Sequence, residues 1–377
     1  MAAESRTWQP DWVQPPGEIL TEALQERDMS QSDLARRMGR PIKTINEIVN
    51  GKAAITPDTA IQLELTLGIS AAFWNNLEAT YRAQLARLRS DEELGHYAEW
   101  AASFPVKDLV RLDLIEQGST RAGNIAALLR YFGVSSPEAW AQQWLSPAAS
   151  FRASPTFKSS PYAAAAWLRW GELVAAGIDT QPFDAARLQE ILGTVRSMTR
   201  SDLALVRDQI GELFATAGVA LVLTPEMSKV RLSGAARWLS ADKAMIQLSL
   251  RHKTDDQLWF SLFHEARHIL RRKRTDFVHD ENEPRDDADD DENDADRFAR
   301  DTLIPPADYE LFVDRKTFTA PAIRAFAKSQ GIAPGIVVGR LQRDEHIPPS
   351  HFRDLKKPIR FGETYGPLSH RSKTTRS

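Results

Sequence analysis

The chain has 377 residues and a formal net charge of −3, with 42% apolar and 26% charged residues; this is a soluble, globular balance with length for two or three domains. No apolar run approaches the roughly 18 residues of a membrane helix, and the N-terminus lacks the basic-then-apolar order of a signal peptide, so a cytoplasmic protein with no membrane partner is expected. Cysteine is absent, which excludes disulfides and thiolate metal sites and leaves His, Asp and Glu as metal ligands.

Residues 1–15 are rich in Trp and Pro and read as irregular. From Gly17 to about Leu88 apolar residues recur at three- and four-residue spacing (Ile19, Leu20, Leu24; Leu34, Met38; Ile45, Ile48, Val49; Ile61, Leu65, Leu67), the signature of amphipathic helices. Ser30 with Asp33, and Thr56 before Pro57, are helix-start signals, while Gly39 and Gly51 fit helix ends. The spacing predicts a bundle of about five helices over residues 16–89.

Within it, residues 30–52 have the pattern of a helix-turn-helix. Ala35 is small where a second helix must approach, Gly39 allows the tight turn, and Ile45 and Ile48 face inward. Ile42, Lys43, Thr44, Asn46 and Glu47 are then left exposed on a helix whose N-terminal half would enter the major groove. Between Gln31 and Lys52 there are five basic and two acidic residues, a basic local balance. Lys43 and Asn46 are the candidates for base edges; Gln31, Thr44 and Lys52 are placed for phosphate. The stretches Pro16–Leu20, Ile55–Ala60 and Phe73–Leu77, with the helix-turn-helix between them, resemble the lambda-repressor-like (XRE) regulators, specifically the HigA-type antitoxins. The resemblance implies binding to a double-stranded DNA operator as a homodimer. Glu47 departs from it, because a carboxylate in the recognition helix repels phosphate unless it reads a cytosine amine.

Residues 90–205 form a helical middle region with five tryptophans, Trp100, Trp140, Trp144, Trp167 and Trp170, read as core anchors. Pro147, Pro155 and Pro161 mark a linker or long loop at 146–161. Beyond Val219 the texture changes. Gly218–Thr224 is a continuous apolar run of strand length, and Ala235–Leu239 and Ala244–Leu250 are further strand candidates. A helix over 255–272, an acidic segment, a second helix over 290–303 and a helical tail follow, an α+β order.

The first of these helices contains His264-Glu-Ala-Arg-His268. At 100° per residue the two histidines share one helix face and can hold one Zn²⁺, with Glu265 beside them as general base. The helix is apolar on its other faces and so buried, where two His and a Glu need partners or a metal. A catalytic zinc site takes a third protein ligand, here a His, Asp or Glu downstream. Glu292 lies on the packed face of the second helix with Ala295 and Ala299, and Asp296 near that face could orient a ligand imidazole. Between Asp280 and Asp296 there are eleven acids and one Arg; the rest of the run, Asp280–Asp291, lacks the spaced ligands and central Gly of a calcium loop and reads as a solvated loop. The strand 244–250 is a candidate edge on which an extended substrate could pair.

His264–His268, followed by Glu292-x-x-Ala295-Asp-x-Phe298-Ala299, Leu303-Ile-Pro305 and Gly331–Leu341, resembles the ImmA/IrrE metallopeptidases over roughly residues 210–360. The resemblance implies a gluzincin-like centre with His264, His268 and Glu292 as zinc ligands, Glu265 as base, and a repressor or toxin-system partner as substrate, cleaved under stress or DNA damage. Ala266-Arg267 replaces the Leu-Gly of many members, and Arg267 adds charge near the site. The expected fold is mainly α with a small α+β part. Its parts are a lambda-repressor-like bundle at 16–89, a helical region at 90–205, a zincin-like metallopeptidase domain at 206–362 and a disordered tail at 363–377. The expected function is a DNA-binding zinc endopeptidase acting on a repressor or other regulator, itself included. The alternative is a non-catalytic HigA-type antitoxin or repressor whose C-terminal domain grips a toxin or signal.

Overall fold

The structure, a computed structural model, describes residues 14–145, 160–249, 254–271, 277–279 and 290–359. The expected linker at 146–161, the irregular N-terminus and the tail at 363–377 lie almost wholly outside the described residues. The chain divides into two compact units, Met1–Ala98 with Ser119–Ile125, and Glu99–Gly118 with Ala126–Ser377.

The first unit contains α1 (Pro16–Gln25), α2 (Gln31–Met38), α3 (Ile42–Val49), α4 (Pro57–Leu67) and α5 (Ala71–Gly95). Leu20, Leu34, Ile45, Leu63 and Trp74 are fully buried and form its core with Leu24, Met38 and Ile48. Ser30 caps α2, its Oγ accepting from the Asp33 amide at 3.1 Å and donating to Asp33 Oδ2 at 2.7 Å. Gly39 closes α2 at φ 63°, a left-handed backbone that costs most other residues about 1–2 kcal/mol. Nothing breaks α5 before Gly95, so it runs past residue 89.

The second unit begins with α6 (Ala98–Ala102), α7 (Val106–Arg111), α8 (Arg121–Phe132), α9 (Pro137–Trp140) and a π-helical turn at Ala141–Leu145, the division between units falling within α6 and α8. Then come α10 (Pro161–Ala176), α11 (Ala185–Met198) and α12 (Leu203–Thr216). The strands are β1 (Val219–Thr224), β2 (Gly234–Trp238), β3 (Ala244–Ser249) and β4 (Phe277–His279), in sheet order β1-β3-β2-β4. β1 and β3 are parallel, while β2 is antiparallel to both β3 and β4. The remaining helices are α13 (Asp255–Leu270), α14 (Asp290–Leu303), α15 (Pro306–Val313), α16 (Ala320–Gln330) and α17 (Pro334–Arg343).

Both faces of the sheet are covered. Ala220, Val222 and Met245 pack toward Ala175 of α10. Val219, Leu221, Ile246 and Leu248 join the core around α13. That is why β1 reads as an uninterrupted apolar run rather than an alternation. The middle helices share this unit because Ala163–Ala166, Trp167 and Trp170 of α10 form one core with Met227, Val230, Leu232 and Ala235. Polar links reinforce it, with Trp167 Nε1 donating to Thr224 Oγ1 at 2.8 Å and Gln247 Nε2 to the Trp167 carbonyl at 2.8 Å. β3 is paired on both sides, so the expectation of a free edge at 244–250 is corrected: its backbone groups are already used, and no extended peptide can add there.

Candidate metal centre and nucleic-acid interface

Helix α13 carries two acids, Asp255 and Asp256, in its first turn, where carboxylates favour the positive end of the helix dipole. It is buried on nearly every side, against α14, α17, β2 and β3. Helix α14 lies alongside, held by ion pairs from Arg267 to Asp294 (2.7 Å) and Arg271 to Asp291 (2.5 Å). The Arg267 guanidinium also lies over the Phe298 ring at 5.2 Å. The charge that Arg267 adds near the site is engaged in joining the two helices, and so are two carboxylates of the acidic run.

This packing brings His264, His268 and Glu292 together, with one donor atom from each lying within 4.8 Å of the others. The Nε2 atoms of His264 and His268 are 3.0 Å apart. Glu292 Oε2 is 3.0 Å from His264 Nε2, and its Oε1 is 3.2 Å from His268 Nε2. Ligand atoms about 2.0–2.1 Å from a tetrahedral zinc stand about 3.3 Å apart, so the donor set has the size such an ion requires. His264 Nδ1 lies 2.9 Å from Asp296 Oδ1. A proton shared there places the lone pair of the imidazole on Nε2, toward the other two donors. Burial pushes the His268 imidazole below its ordinary value, opposed by the hydrogen bond it donates to Glu292, a shift toward the neutral form a metal needs.

The histidines are almost inaccessible, whereas the Glu292 side chain is 26% exposed, so the cluster opens toward solvent on the Glu292 side. Glu265 is fully buried, and neither carboxylate oxygen has a hydrogen-bond partner among the described residues. Burial pushes its carboxyl up to about 8, with His264 lowering it and Glu292 raising it. A buried, unpartnered carboxylate is costly, and a cation bound beside it would relieve that cost. The donor chemistry and this orphaned carboxylate both fit Zn²⁺.

Gly234 of β2 was not singled out in the sequence. A Cβ there would lie 2.5 Å from Glu265 Oε1 and 2.8 Å from its Cγ, so the missing side chain makes room for the base. A glycine inside a strand signals close approach, the clue available beforehand. His346 and His351 are exposed, while His252 and the His279 side chain lie outside the described residues.

In the first unit, Ile42, Lys43, Asn46 and Lys52 are exposed, while Gln31 and Thr44 are half-buried. Gln31 and Asn46 face each other across the turn, Asn46 Nδ2 to Gln31 Oε1 at 3.5 Å. Glu47 lies 3.8 Å from Lys43, one helical turn away, so the carboxylate that disagreed with a phosphate-facing surface has a cation beside it.

The paired helices α2 and α3, turned at Gly39 and braced by three further helices, constitute a helix-turn-helix domain. The family of helix-turn-helix domains matches residues 20–74. The uncharacterized HTH-type transcriptional regulator YddM of Escherichia coli (strain K12) is 37% identical over 81 residues, which are 20% of this chain and 86% of that protein. Virulence-associated protein I of Dichelobacter nodosus is 38% identical over 72 residues, 19% of this chain and 67% of that protein. Among solved structures, a HigA-family addiction module antidote protein from Coxiella burnetii is 36% identical with a TM-score of 0.21, covering 22% of this chain and 91% of that one. Pseudomonas aeruginosa antitoxin HigA, solved with the higBA promoter, is 37% identical with a TM-score of 0.21, covering 22% and 94%. The chain belongs to the helix-turn-helix transcriptional regulators of the XRE/HigA type, through its first unit. Among the described residues no helix is long and apolar enough to cross a membrane.

Proposed function

We propose that this protein is a transcription regulator that binds a double-stranded DNA operator through α2 and α3, as a homodimer, and hydrolyses a peptide bond in a repressor or other regulatory protein at a zinc centre. His264, His268 and Glu292 would hold the ion, and the centre is of the ImmA/IrrE kind. The carrying observation is the convergence of these three donors beside Glu265, a buried carboxylate with no partner of its own. A bound Zn²⁺ supplies Lewis acidity toward a peptide carbonyl and toward water. Glu265 does the proton work: its carboxylate takes a proton from the attacking water and returns it to the amine nitrogen of the leaving peptide. Asp296 keeps the His264 ring in one tautomer and orientation. Gly234 leaves Glu265 room to reach the reacting atoms.

A second reading is favoured by the family of the first unit: a repressor or HigA-type antitoxin whose C-terminal unit is a metal-stabilised module that grips a toxin or signal. The discriminating experiment replaces Glu265 with Gln in the full-length protein. The peptidase reading expects zinc and DNA binding to persist while regulator fragments disappear from the cell proteome. An unchanged proteome and unchanged regulation would leave the module.

A further inference from the structure

One face of α13, running from Asp256 through Phe260 to His264, continues past the metal centre toward the helix N-terminus. There it meets the last turn of α14 and the length of α17 and encloses a cavity of roughly 270 Å³. The floor is apolar, with Phe260, Leu303 and Ile336. The walls carry Arg300, Arg340, Arg343 and Lys356 against one carboxylate, Asp256.

The carboxylates on hand do not neutralise this group fully. Lys356 pairs with Asp256 at 2.7 Å and Arg340 Nε with Asp344 at 2.5 Å. Arg343 reaches Asp296 Oδ2 at 3.4 Å, too long for a strong ion pair. No carboxylate among the described residues forms an ion pair with Arg300. Arg300 Nε and Arg340 Nη1 are buried donors with no protein acceptor, the arrangement that costs most when a charged group is left unsatisfied. Burial, and next the repulsion of Arg340, hold the Arg300 guanidinium below its usual range, Asp344 and Asp301 opposing.

We propose that this cavity is an anion-binding site that takes a small ligand or side chain bearing a carboxylate or phosphate, its polar end on the guanidinium groups and a short apolar stem on Phe260 and Ile336. Guanidinium forks match the geometry of both anions, and the volume suits a small group rather than a large ligand. The site goes beyond the peptidase reading, because nothing in it requires hydrolysis. It also touches the metal centre: Arg343 contacts Asp296, whose other oxygen holds His264.

The test is thermal unfolding of the full-length chain with increasing inorganic phosphate, and separately glutarate, at ionic strength held constant with sodium chloride. The expected result is a saturable rise in Tm on the order of 2–8 °C. Arg300→Gln and Arg343→Gln should each require at least about tenfold more anion for the same rise, while Arg324→Gln, at an exposed arginine outside the cavity, should respond as the parent does. Arg343 is 38% exposed, so its variant stays informative if Arg300→Gln fails to fold. A larger response to phosphate assigns a phosphate site, and a larger response to glutarate a carboxylate site. No response, or the same response in the parent and the cavity variants, overturns the proposal. The readout needs neither zinc nor cleavage, so anion binding by a chain that hydrolyses nothing would sink the peptidase reading and leave this site standing.

Discussion

Asp296→Ala perturbs the metal centre without touching a ligand. Asp296 is 2% exposed, and its Oδ1 lies 2.9 Å from His264 Nδ1. Removing the carboxylate leaves a buried imidazole N–H without an acceptor, which costs about 1–3 kcal/mol. The other interaction lost, to Arg343 at 3.4 Å, involves a guanidinium that can turn to water and adds little. Loss of such an orienting carboxylate typically weakens metal affinity by about 10–100-fold, or about 1.4–2.7 kcal/mol at 1.36 kcal/mol per tenfold. Asp296→Asn, which still offers an oxygen acceptor but no charge, should fall between. The assay is zinc competition against a chromophoric chelator, with a thermal melt on the same samples to establish folding. A folded Asp296→Ala protein that binds zinc as tightly as its parent would refute the claim that Asp296 sets the His264 tautomer.

Gly234→Ala should crowd Glu265, costing about 1–3 kcal/mol of stability from overpacking and roughly 10²-fold in peptide hydrolysis if the base moves by an ångström. Zinc stoichiometry should not change, and hydrolysis at the parental rate would show that the glycine serves no such role. Asp255 is raised to about 6, by burial first, with the Lys357 amide opposing. Its protonated form is favoured in the folded state, so its stabilising contribution is complete below about pH 3.9 and lost as pH rises through about 6. Asp255→Asn should therefore gain on the parent by on the order of 2 kcal/mol between about pH 4.5 and about pH 7; denaturant midpoints that move in parallel over that range would contradict it. Lys43→Ala and Asn46→Ala should each weaken binding to a selected operator by about 1–3 kcal/mol while changing stability by less than about 0.5 kcal/mol, and fragments recovered equally by parent and variants would rule out base reading by these residues.

The first unit was legible because its helices obey simple local rules. Ser30 and Thr56 cap, Gly39 turns, and the apolar residues keep one face per helix. The approach of His264 and His268 was equally legible, being a consequence of helical pitch, and Glu292 followed from the apolar stripe of α14. Other features depend on contacts distant in sequence. β3 lies between β1 and β2 because the chain leaves β1, forms β2 and turns back to place β3 parallel to β1 and antiparallel to β2, an order that leaves no local mark. The middle helices looked like a separate region because nothing within α10 itself shows what it packs against. Its partners, Met227 to Ala235, lie about sixty residues away. The Arg300, Arg340 and Arg343 cluster was invisible for the same reason: two separate helices supply it, and each arginine alone reads as ordinary surface charge.

The account rests most heavily on one ion, and metal analysis of the purified full-length chain addresses it directly. After zinc loading and exhaustive dialysis, the expected content is a single zinc per chain, retained in Glu265→Gln and lost when both His264 and His268 are replaced by Ala. Zinc at background in the parent, or full zinc in the double histidine variant, would contradict it.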